Sequence, residues 1–167
     1  MKDRAAAVAL VVAGGDSGDE LLVVRRATVV GDPWSGHVAL PGGRTESADV
    51  SLEATARRET LEETGIDLSD SKCVAALTAV TPQSMGAASV TIAPFVFRYV
   101  GDKRVRMSRE IVEAWWIPLM EFQRGGAWKR TSIATRDGSN LEVRGFHWHG
   151  HVLWGLTARI LEEFLTV

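Results

Sequence analysis

The sequence predicts a layered α/β or α+β fold, and two observations carry this prediction. Short apolar segments, each bounded by Gly, Pro, Asp or Ser, recur along the chain as strands separated by turns do. Two other segments have the residue spacing of helices, and a sheet with covering helices forms layers around one core. The 167 residues, 46% apolar and 24% charged, suit a single domain over residues 1–167, because no linker, repeat or low-complexity tract divides them.

The strand predictions begin with a hairpin. Ala5–Ala13 is a small apolar segment, a Gly/Asp/Ser turn follows, and Leu21–Val24 resumes a strand. Pro41-Gly42-Gly43 is expected to end the next extended segment, and Gln83–Ala88 is predicted to be a loop. Asp137-Gly138 is a hairpin signal. Further extended segments are predicted at His37–Leu40, Val74–Thr81, Val90–Val100, Ala114–Ile117 and within Trp128–Phe146.

Two main helices are predicted. The first covers Ser51–Thr64, with Asp49 or Ser51 able to cap its start and Gly65 supplying the left-handed residue that ends it. The second covers His151–Leu165, where apolar residues recur at helical spacing. A helical turn is also expected over residues 119–123.

Charge and cysteine content restrict the class of partner and the compartment. A net charge of −2 and a pI near 6.1 argue against an extensive electrostatic interface with nucleic acid, but a local Arg cluster can still bind a small anionic ligand. Cys73 is the single cysteine, so no disulfide can form within the chain. The apolar run after Met1–Arg4 is too short to span a bilayer. We therefore expect a cytoplasmic protein with no membrane partner.

The most informative segment is the first helix, where three glutamates crowd together. Glu59 and Glu63 lie one turn apart on one helical face, with Glu62 beside them. Such like charges repel, and a hard divalent cation such as Mg²⁺ would compensate them. Gly43 could bring a backbone carbonyl to that cation, since glycine permits close approach. The alternative is a solvated surface helix in which Arg58 and Glu62 form an ordinary i,i+4 ion pair.

At this point the sequence resembles the Nudix hydrolase family. Its box is written Gly, five residues, Glu, seven residues, Arg-Glu, apolar, any residue, Glu-Glu, any residue, Gly, apolar. The second half matches Arg58–Ile66, with Thr60 in an apolar slot. In the first half Asp49 stands for the Glu, and eight residues rather than seven separate it from Arg58. The resemblance implies an α/β/α sandwich with a mixed sheet between helices.

The resemblance also implies roles for these residues. Metal ligands would come from the Gly43 carbonyl, Glu59 and Glu63, with Glu62 a ligand or a water-bridged partner, and the metal would be Mg²⁺ with Mn²⁺ as a substitute. Arg58 would orient Glu59 through a salt bridge instead of touching the substrate. The activity would be cleavage of a diphosphate linkage.

Residues outside the box complete the predicted site. Glu110, just before an apolar strand that ends in Pro-Leu, is the candidate for a further ligand or the general base, and Glu113 is the competing choice. Arg26 and Arg44 could hold the diphosphate, because guanidinium groups suit phosphate oxygens, or could pair with nearby acids. Trp34 could stack on an adenine ring, or it could pack in the core or form a contact between two copies in a homodimer.

Two further segments resemble the coenzyme A pyrophosphatase branch of the family. They are Leu21–Arg26 with Gly36–Arg44, and Val152–Leu161. The residues that usually precede the paired glycines in that branch are absent, since the loop here reads Gly31-Asp32-Pro33-Trp34-Ser35-Gly36-His37. Despite this departure, the resemblance to the branch implies coenzyme A or an acyl-CoA as the substrate. The alternatives are ADP-ribose, NADH, dinucleotides or nucleoside triphosphates, and a non-catalytic nucleotide-binding module of the same fold.

Overall fold

A mixed seven-stranded sheet forms the centre of the molecule, and the computed structural model describes residues 5–32, 34–82, 90–135 and 137–167. The large sheet contains β1 (Ala5–Gly15), β2 (Gly18–Arg26), β3 (Val38–Ala39), β4 (Gly42–Arg44), β5 (Lys72–Ala76), β6 (Thr91–Tyr99) and β7 (Ile111–Pro118). A second, three-stranded sheet contains β8 (Trp128–Ala134), β9 (Asn140–Trp148) and β10 (His151–Leu153). The helices are α1 (Leu52–Thr64), α2 (Leu119–Gln123) and α3 (Gly155–Phe164).

Strand β1 lies at the centre of the large sheet. It forms the predicted antiparallel hairpin with β2, in which Val12 pairs with Leu21, and it runs parallel to β6 on its other side. Near its start β1 also pairs antiparallel with β4, where Ala7 lies opposite Gly43. The sheet is therefore mixed, and β1 brings the two glycines of β4 to its edge.

Alternate residues of β1 face two different cores. Ala7 and Ala9 pack on the side that carries α1, together with Ala56 of that helix. Leu10 packs on the opposite side, together with Ile160 of α3. Helices therefore cover both faces of the sheet, which confirms the predicted α/β/α sandwich with a mixed sheet between helices.

Helix α1 begins and ends where the sequence predicts. The Ser51 side chain accepts a hydrogen bond from the Ala54 backbone N–H at 3.0 Å, and Gly65 follows the last turn in the left-handed region with φ 72°. The Gly65 N–H donates to the Leu61 carbonyl at 2.9 Å. Of the two candidate caps, Ser51 is the one that caps the helix.

The second predicted helix starts too early. Residues 151–153 form strand β10, in which His151 pairs with Trp148, and α3 begins only at Gly155. A tight turn through His149 (φ 46°) and Gly150 (φ 81°) folds β10 back onto β9. Val152 has helical spacing with the apolar residues of α3, so the pattern could not separate the short strand from the helix.

Two smaller differences concern strand limits. Gly42–Arg44 does not simply end the preceding strand but forms β4 against β1. Strand β5 covers Lys72–Ala76 instead of residues 74–81, and Val80 retains an isolated bridge to Ile92. The loop predicted at Gln83–Ala88 lies outside the described residues. None of the described helices is long and apolar enough to cross a membrane.

Candidate active site

Three carboxylates meet at the edge of the sheet next to the paired glycines. One oxygen from each of Glu59, Glu63 and Glu110 lies within 4.8 Å of the other two. Glu59 and Glu63 come from one face of α1, whereas Glu110 directly precedes β7. Glu63 is buried, Glu59 is partly buried and Glu110 is exposed, so the cluster opens to solvent on one side. We call these three residues the acidic cluster.

The paired glycines allow the β4 backbone to approach this cluster. The Gly42 N–H donates to a Glu63 carboxylate oxygen at 3.0 Å. A Cβ atom at Gly43 would lie 2.5 Å from the Glu59 carboxyl carbon, and one at Gly42 would collide with the Ala7 carbonyl. A side chain at Gly42 would therefore displace β4 from β1, and one at Gly43 would displace the Glu59 carboxylate.

Burial makes the cluster electrostatically unfavourable without a cation. It raises the pKa of Glu63 to about 8, against the lowering effects of the Gly42 N–H and of the Arg26 guanidinium 3.9 Å away. Burial also raises the pKa of Glu59, against the lowering effect of Arg58. Oxygen donors placed so close together, one of them buried, are suited to a hard divalent cation.

Arg58 connects the loop before α1 to the cluster. Its Nε and Nη2 atoms each donate to one Asp49 carboxylate oxygen at 2.9 Å, and its Nη1 donates to Glu59 Oε1 at 2.9 Å. The guanidinium holds the pKa of Asp49 well below its usual range. Asp49 also accepts from the Thr55 hydroxyl at 2.9 Å and the Glu46 N–H at 2.9 Å. Asp49, which stands where the family's box has Glu, therefore holds the loop in place and orients Arg58 towards Glu59.

Glu62 lies outside the acidic cluster. Its side chain is 55% exposed and accepts from Arg58 Nη1 at 3.2 Å, in the i,i+4 pair that the sequence left as an alternative. The structure thus brings together Glu59 and Glu63 of the three box glutamates and leaves Glu62 at the rim. Glu62 still lines the cleft described below.

Glu110, and not its competitor Glu113, joins the cluster. Glu113 accepts from Arg25 Nε at 2.5 Å and lies 3.0 Å from His151 Nε2, away from Glu59 and Glu63. Glu110 is placed by its backbone, since its carbonyl accepts from the Ala27 N–H at 2.7 Å. The preceding segment is tied to the end of α1, where the Ser108 N–H donates to the Glu63 carbonyl at 3.0 Å.

A cleft of about 1160 Å³ runs from the acidic cluster to α3. The predicted substrate-binding residues Arg26, Arg44 and Trp34 all line it. Arg26 is engaged with acids, because it pairs with Asp32 at 3.2 Å as well as with Glu63. Across the described parts of the chain, the Arg44 side chain forms no ion pair and is the more available of the two guanidinium groups.

Much of the remaining cleft lining comes from residues for which the sequence indicated no individual role. His37 and Trp154 place their rings 5.2 Å apart, and Leu156 and Arg159 of α3 line the same space. Val8 of β1 and Ile92 of β6 face them from the sheet. Strand residues of this kind have the pattern of ordinary core residues, so no sequence signal separates them from the core.

The fold thus places the oxygen donors of the acidic cluster beside a large cleft, an arrangement suited to a divalent cation. The model of the NUDIX domain matches residues 2–137, which include α1, Gly43 and Glu110. The chain therefore belongs to the NUDIX family.

Individual relatives agree with this assignment. A protein of Cronobacter sakazakii named uncharacterized Nudix hydrolase NudL is 30% identical over 165 residues, covering 98% of this chain and 82% of that protein. The chain spans only 32% and 65% of the length of two other curated relatives that it matches.

Solved structures share the fold at low sequence identity. An Ap4A hydrolase from C. elegans, solved as a binary complex, has a TM-score of 0.60 and 16% identity, covering 71% of this chain and 82% of that one. The NUDIX domain of NrtR from Shewanella oneidensis, complexed with ADP ribose, has a TM-score of 0.58 and 19% identity, covering 74% of this chain and 77% of that one.

Proposed function

We propose that this protein is a Mg²⁺-dependent Nudix hydrolase that cleaves the diphosphate linkage of a nucleoside diphosphate derivative, with coenzyme A or an acyl-CoA as its substrate. The observation that carries the proposal is the acidic cluster at one end of a cleft large enough for such a molecule. Mn²⁺ is expected to substitute for Mg²⁺, and we place the protein in the cytoplasm.

The residues present fit a divalent cation. Glu59, Glu63 and Glu110 supply oxygen donors, and the Gly43 carbonyl would add one more, while the burial of Glu63 disfavours its negative charge unless a cation is near. When bound, Mg²⁺ would act as a Lewis acid on the phosphoryl oxygens and lower the pKa of a coordinated water. Glu62 at the rim is the candidate for a partner through water.

The chain's own residues would position the substrate and move a proton. A water oxygen attacks one phosphorus, the bridging P–O bond breaks, and the proton of the water passes to a carboxylate, for which exposed Glu110 is the candidate. Arg58 keeps Glu59 in place through the Asp49 pair. Arg44 would bind the diphosphate oxygens. Arg26, whose charge is already paired with that of Asp32, would be a second contact. Trp34 would supply a ring surface in the same cleft.

A second class of substrate is supported by the structural relatives. The C. elegans structure is an Ap4A hydrolase and the NrtR domain is complexed with ADP ribose, so the same fold serves dinucleotides and nucleotide sugars in other proteins. ADP-ribose, NADH, dinucleotides and nucleoside triphosphates are therefore the alternative substrates. A non-catalytic nucleotide-binding module is the rival class, and the presence of all three box glutamates argues against it.

The test is a hydrolysis panel with products identified by mass. Coenzyme A, ADP-ribose, NADH, a dinucleotide polyphosphate and a nucleoside triphosphate are each incubated with Mg²⁺ and with Mn²⁺. We expect cleavage of the diphosphate bond of coenzyme A. The Glu63→Gln variant should lose roughly a thousandfold or more in kcat while it remains folded, because it removes a metal-binding charge. If no substrate is cleaved with either metal, the binding-module interpretation replaces this one.

A further inference from the structure

We propose that Ser108 is a positioning residue for the acidic cluster. Its hydroxyl holds the turn that presents Glu110, and in this way it sets how well the three carboxylates together fit a divalent cation. Ser108 is not a member of the cluster and acts through Glu110. The inference rests on the function proposed above, because it takes the acidic cluster as the cation site.

Two backbone hydrogen bonds join the end of α1 to the segment before β7. The Arg106 N–H donates to the Thr64 carbonyl at 2.8 Å, and the Ser108 N–H donates to the Glu63 carbonyl at 3.0 Å. Carbonyls in the last turn of a helix have no partner within the helix, and this segment satisfies two of them. The Ser108 backbone is therefore fixed relative to the residue that supplies the buried carboxylate of the cluster.

A turn that starts at Ser108 then brings the chain to the cluster. The Ile111 N–H donates to the Ser108 carbonyl at 3.3 Å, which closes a β-turn with Glu110 at its third position. Within this turn the Glu110 N–H donates to the Ser108 side-chain oxygen at 3.2 Å. Serine at the first position of a turn accepts in this way from the residue two further on. Ser108 is thus hydrogen-bonded to the backbones of both Glu63 and Glu110.

Glu110 depends on this contact more than the other two carboxylates of the cluster do. Gly42 donates to the Glu63 carboxylate and Arg58 to that of Glu59, whereas the Glu110 carboxylate has no hydrogen bond or ion pair within the described parts of the chain. Its position is set by its backbone, whose carbonyl accepts from the Ala27 N–H at 2.7 Å and whose N–H donates to Ser108.

Loss of the Ser108 hydroxyl would free the Glu110 N–H to bond with water and widen the range of positions that the carboxylate occupies. Mg²⁺ requires oxygen ligands at about 2.0–2.1 Å in near-ideal octahedral geometry, so a less well placed carboxylate lowers the affinity for the cation. The expected effect of the hydroxyl is therefore on metal binding and not on substrate binding.

The test measures the binding of Mn²⁺ alone, without substrate, from the electron paramagnetic resonance signal of the free ion. Ser108→Ala should weaken this binding by roughly threefold to tenfold, the factor that corresponds to one hydrogen bond of ordinary strength. With substrate present, the same variant should need more Mg²⁺ for half-maximal activity. Its KM for the substrate at saturating Mg²⁺ should stay within about twofold of the wild type.

A pair of variants of similar shape isolates the hydroxyl. Ser108→Thr and Ser108→Val both introduce a β-branched side chain and differ from each other by a hydroxyl in place of a methyl group. Ser108→Thr should bind Mn²⁺ within about twofold of the wild type, and Ser108→Val should be as weak as Ser108→Ala. The pair remains informative if Ser108→Ala fails to fold.

Ser51→Ala is the matched control for stability. The Ser51 side chain also accepts a hydrogen bond from a nearby backbone N–H, that of Ala54 at 3.0 Å, but it does so at the start of α1. Loss of this helix cap should lower the Tm by roughly 2–4 °C and leave Mn²⁺ binding within about twofold of the wild type. If Ser51→Ala weakens Mn²⁺ binding as much as Ser108→Ala does, the effect is a general loss of stability and the positioning role is wrong.

A double-mutant cycle tests whether Ser108 acts through Glu110. In the Glu110→Gln background, adding Ser108→Ala should weaken Mn²⁺ binding by less than about twofold further. If Ser108→Ala has the same effect in both backgrounds, or no effect in the wild type, the positioning role is wrong and the hydrolase function stands. The role is equally wrong if Ser108→Thr is as weak as Ser108→Val.

Failure of the proposed function would give a different result. If the wild type binds no Mn²⁺ and cleaves nothing in the substrate panel, the proposed function fails and this inference fails with it. If Mn²⁺ binds with the expected dependence on Ser108 but no substrate is cleaved, the hydrolase function fails and the positioning role stands.

Discussion

The acidic cluster and the apolar lining of the cleft are built on different physical principles. In the acidic cluster, charged groups are held by directional bonds: Gly42 donates to Glu63, and Asp49 fixes Arg58 against Glu59. In the apolar lining, Val8, Ile92 and Leu156 are the margin of an ordinary hydrophobic core. The cluster requires particular residue types at particular spacings, whereas the apolar lining requires only shape and apolarity. A change in the acidic cluster should therefore affect every substrate equally, and a change in the apolar lining should affect the choice among substrates.

After Glu63→Gln, the largest effect is expected at Glu110. Glu110→Gln should lower kcat by about a hundredfold or more on all substrates alike, because it removes a carboxylate of the acidic cluster. Glu113→Gln is the matched control, since Glu113 pairs with Arg25 and His151 outside the cluster, and its kcat should stay within about twofold. Steady-state kinetics on two different substrates checks both. Equal losses in the two variants would contradict the assignment of Glu110.

The close approach of β4 to α1 gives the next largest effect. Gly43→Ala should lower kcat by roughly tenfold to a hundredfold, because the new Cβ atom would lie 2.5 Å from the Glu59 carboxyl carbon and displace it. Gly14→Ala is the control, since a Cβ atom there meets no heavy atom within 4 Å. Kinetics with thermal denaturation measures both. A Gly43→Ala enzyme of normal activity would show that β4 does not constrain Glu59.

The contacts of Asp49 should contribute chiefly to the free energy of unfolding. Asp49→Ala should lower the free energy of unfolding at pH 7 by about 1–3 kcal/mol, because Arg58 loses its hydrogen-bonded partner. Arg58 depresses the pKa of Asp49 in the folded state, so this stabilisation is complete above the ordinary pKa of about 4 and is lost as the pH falls towards the folded value.

The difference in unfolding free energy between wild type and Asp49→Ala should therefore narrow below about pH 4. Urea titrations at several pH values measure it. If the difference in unfolding free energy stayed constant down to pH 3, the stabilisation would not come from the Asp49 carboxylate.

The smallest effect concerns the coupling between Mg²⁺ binding and the deprotonation of Glu63. In the metal-free protein the pKa of Glu63 is raised to about 8, so its carboxyl is largely protonated at pH 6 and the buried charge becomes increasingly unfavourable as the pH rises. Binding of Mg²⁺ must displace this proton, so it should tighten by up to about tenfold per pH unit between pH 6 and 8.

The increase in Tm on adding Mg²⁺ should accordingly be larger at pH 8 than at pH 6, by a few degrees. Glu63→Gln should abolish this pH dependence, and the exposed Glu62→Gln should retain it. An Mg²⁺ effect on Tm that is the same at both pH values in the wild type would contradict the role of Glu63.

Much of the acidic cluster could be predicted from local sequence. The spacing of Glu59 and Glu63 on one helix, the cap at Ser51 and the terminating Gly65 are properties of a single helical segment, and the structure agrees with each. The role of Glu62 could not be read in this way, because a helix pattern does not say which of three neighbouring glutamates faces the sheet edge. The packing of α1 against the sheet decides it, because it buries Glu63 and leaves Glu62 at the rim.

The choice between Glu110 and Glu113 shows the same limit. Glu110 directly precedes β7 and Glu113 lies within it, and backbone hydrogen bonds to Ala27 and to the end of α1 bring Glu110 to the cluster. The early start predicted for α3 has a related cause. Residues 151–153 form a strand because β9 offers them a partner, and local spacing does not reveal that partner.

By itself the sequence determined the family, the layered fold and the two helical carboxylates of the cluster, because these depend on residue types at short separations along one chain segment. Only the tertiary structure decided that Glu110 joins those carboxylates, that Arg26 is already balanced by Asp32, and that α3 closes a cleft over Val8 and Ile92. Contacts between residues far apart in sequence depend on strand register and packing, which no local pattern encodes.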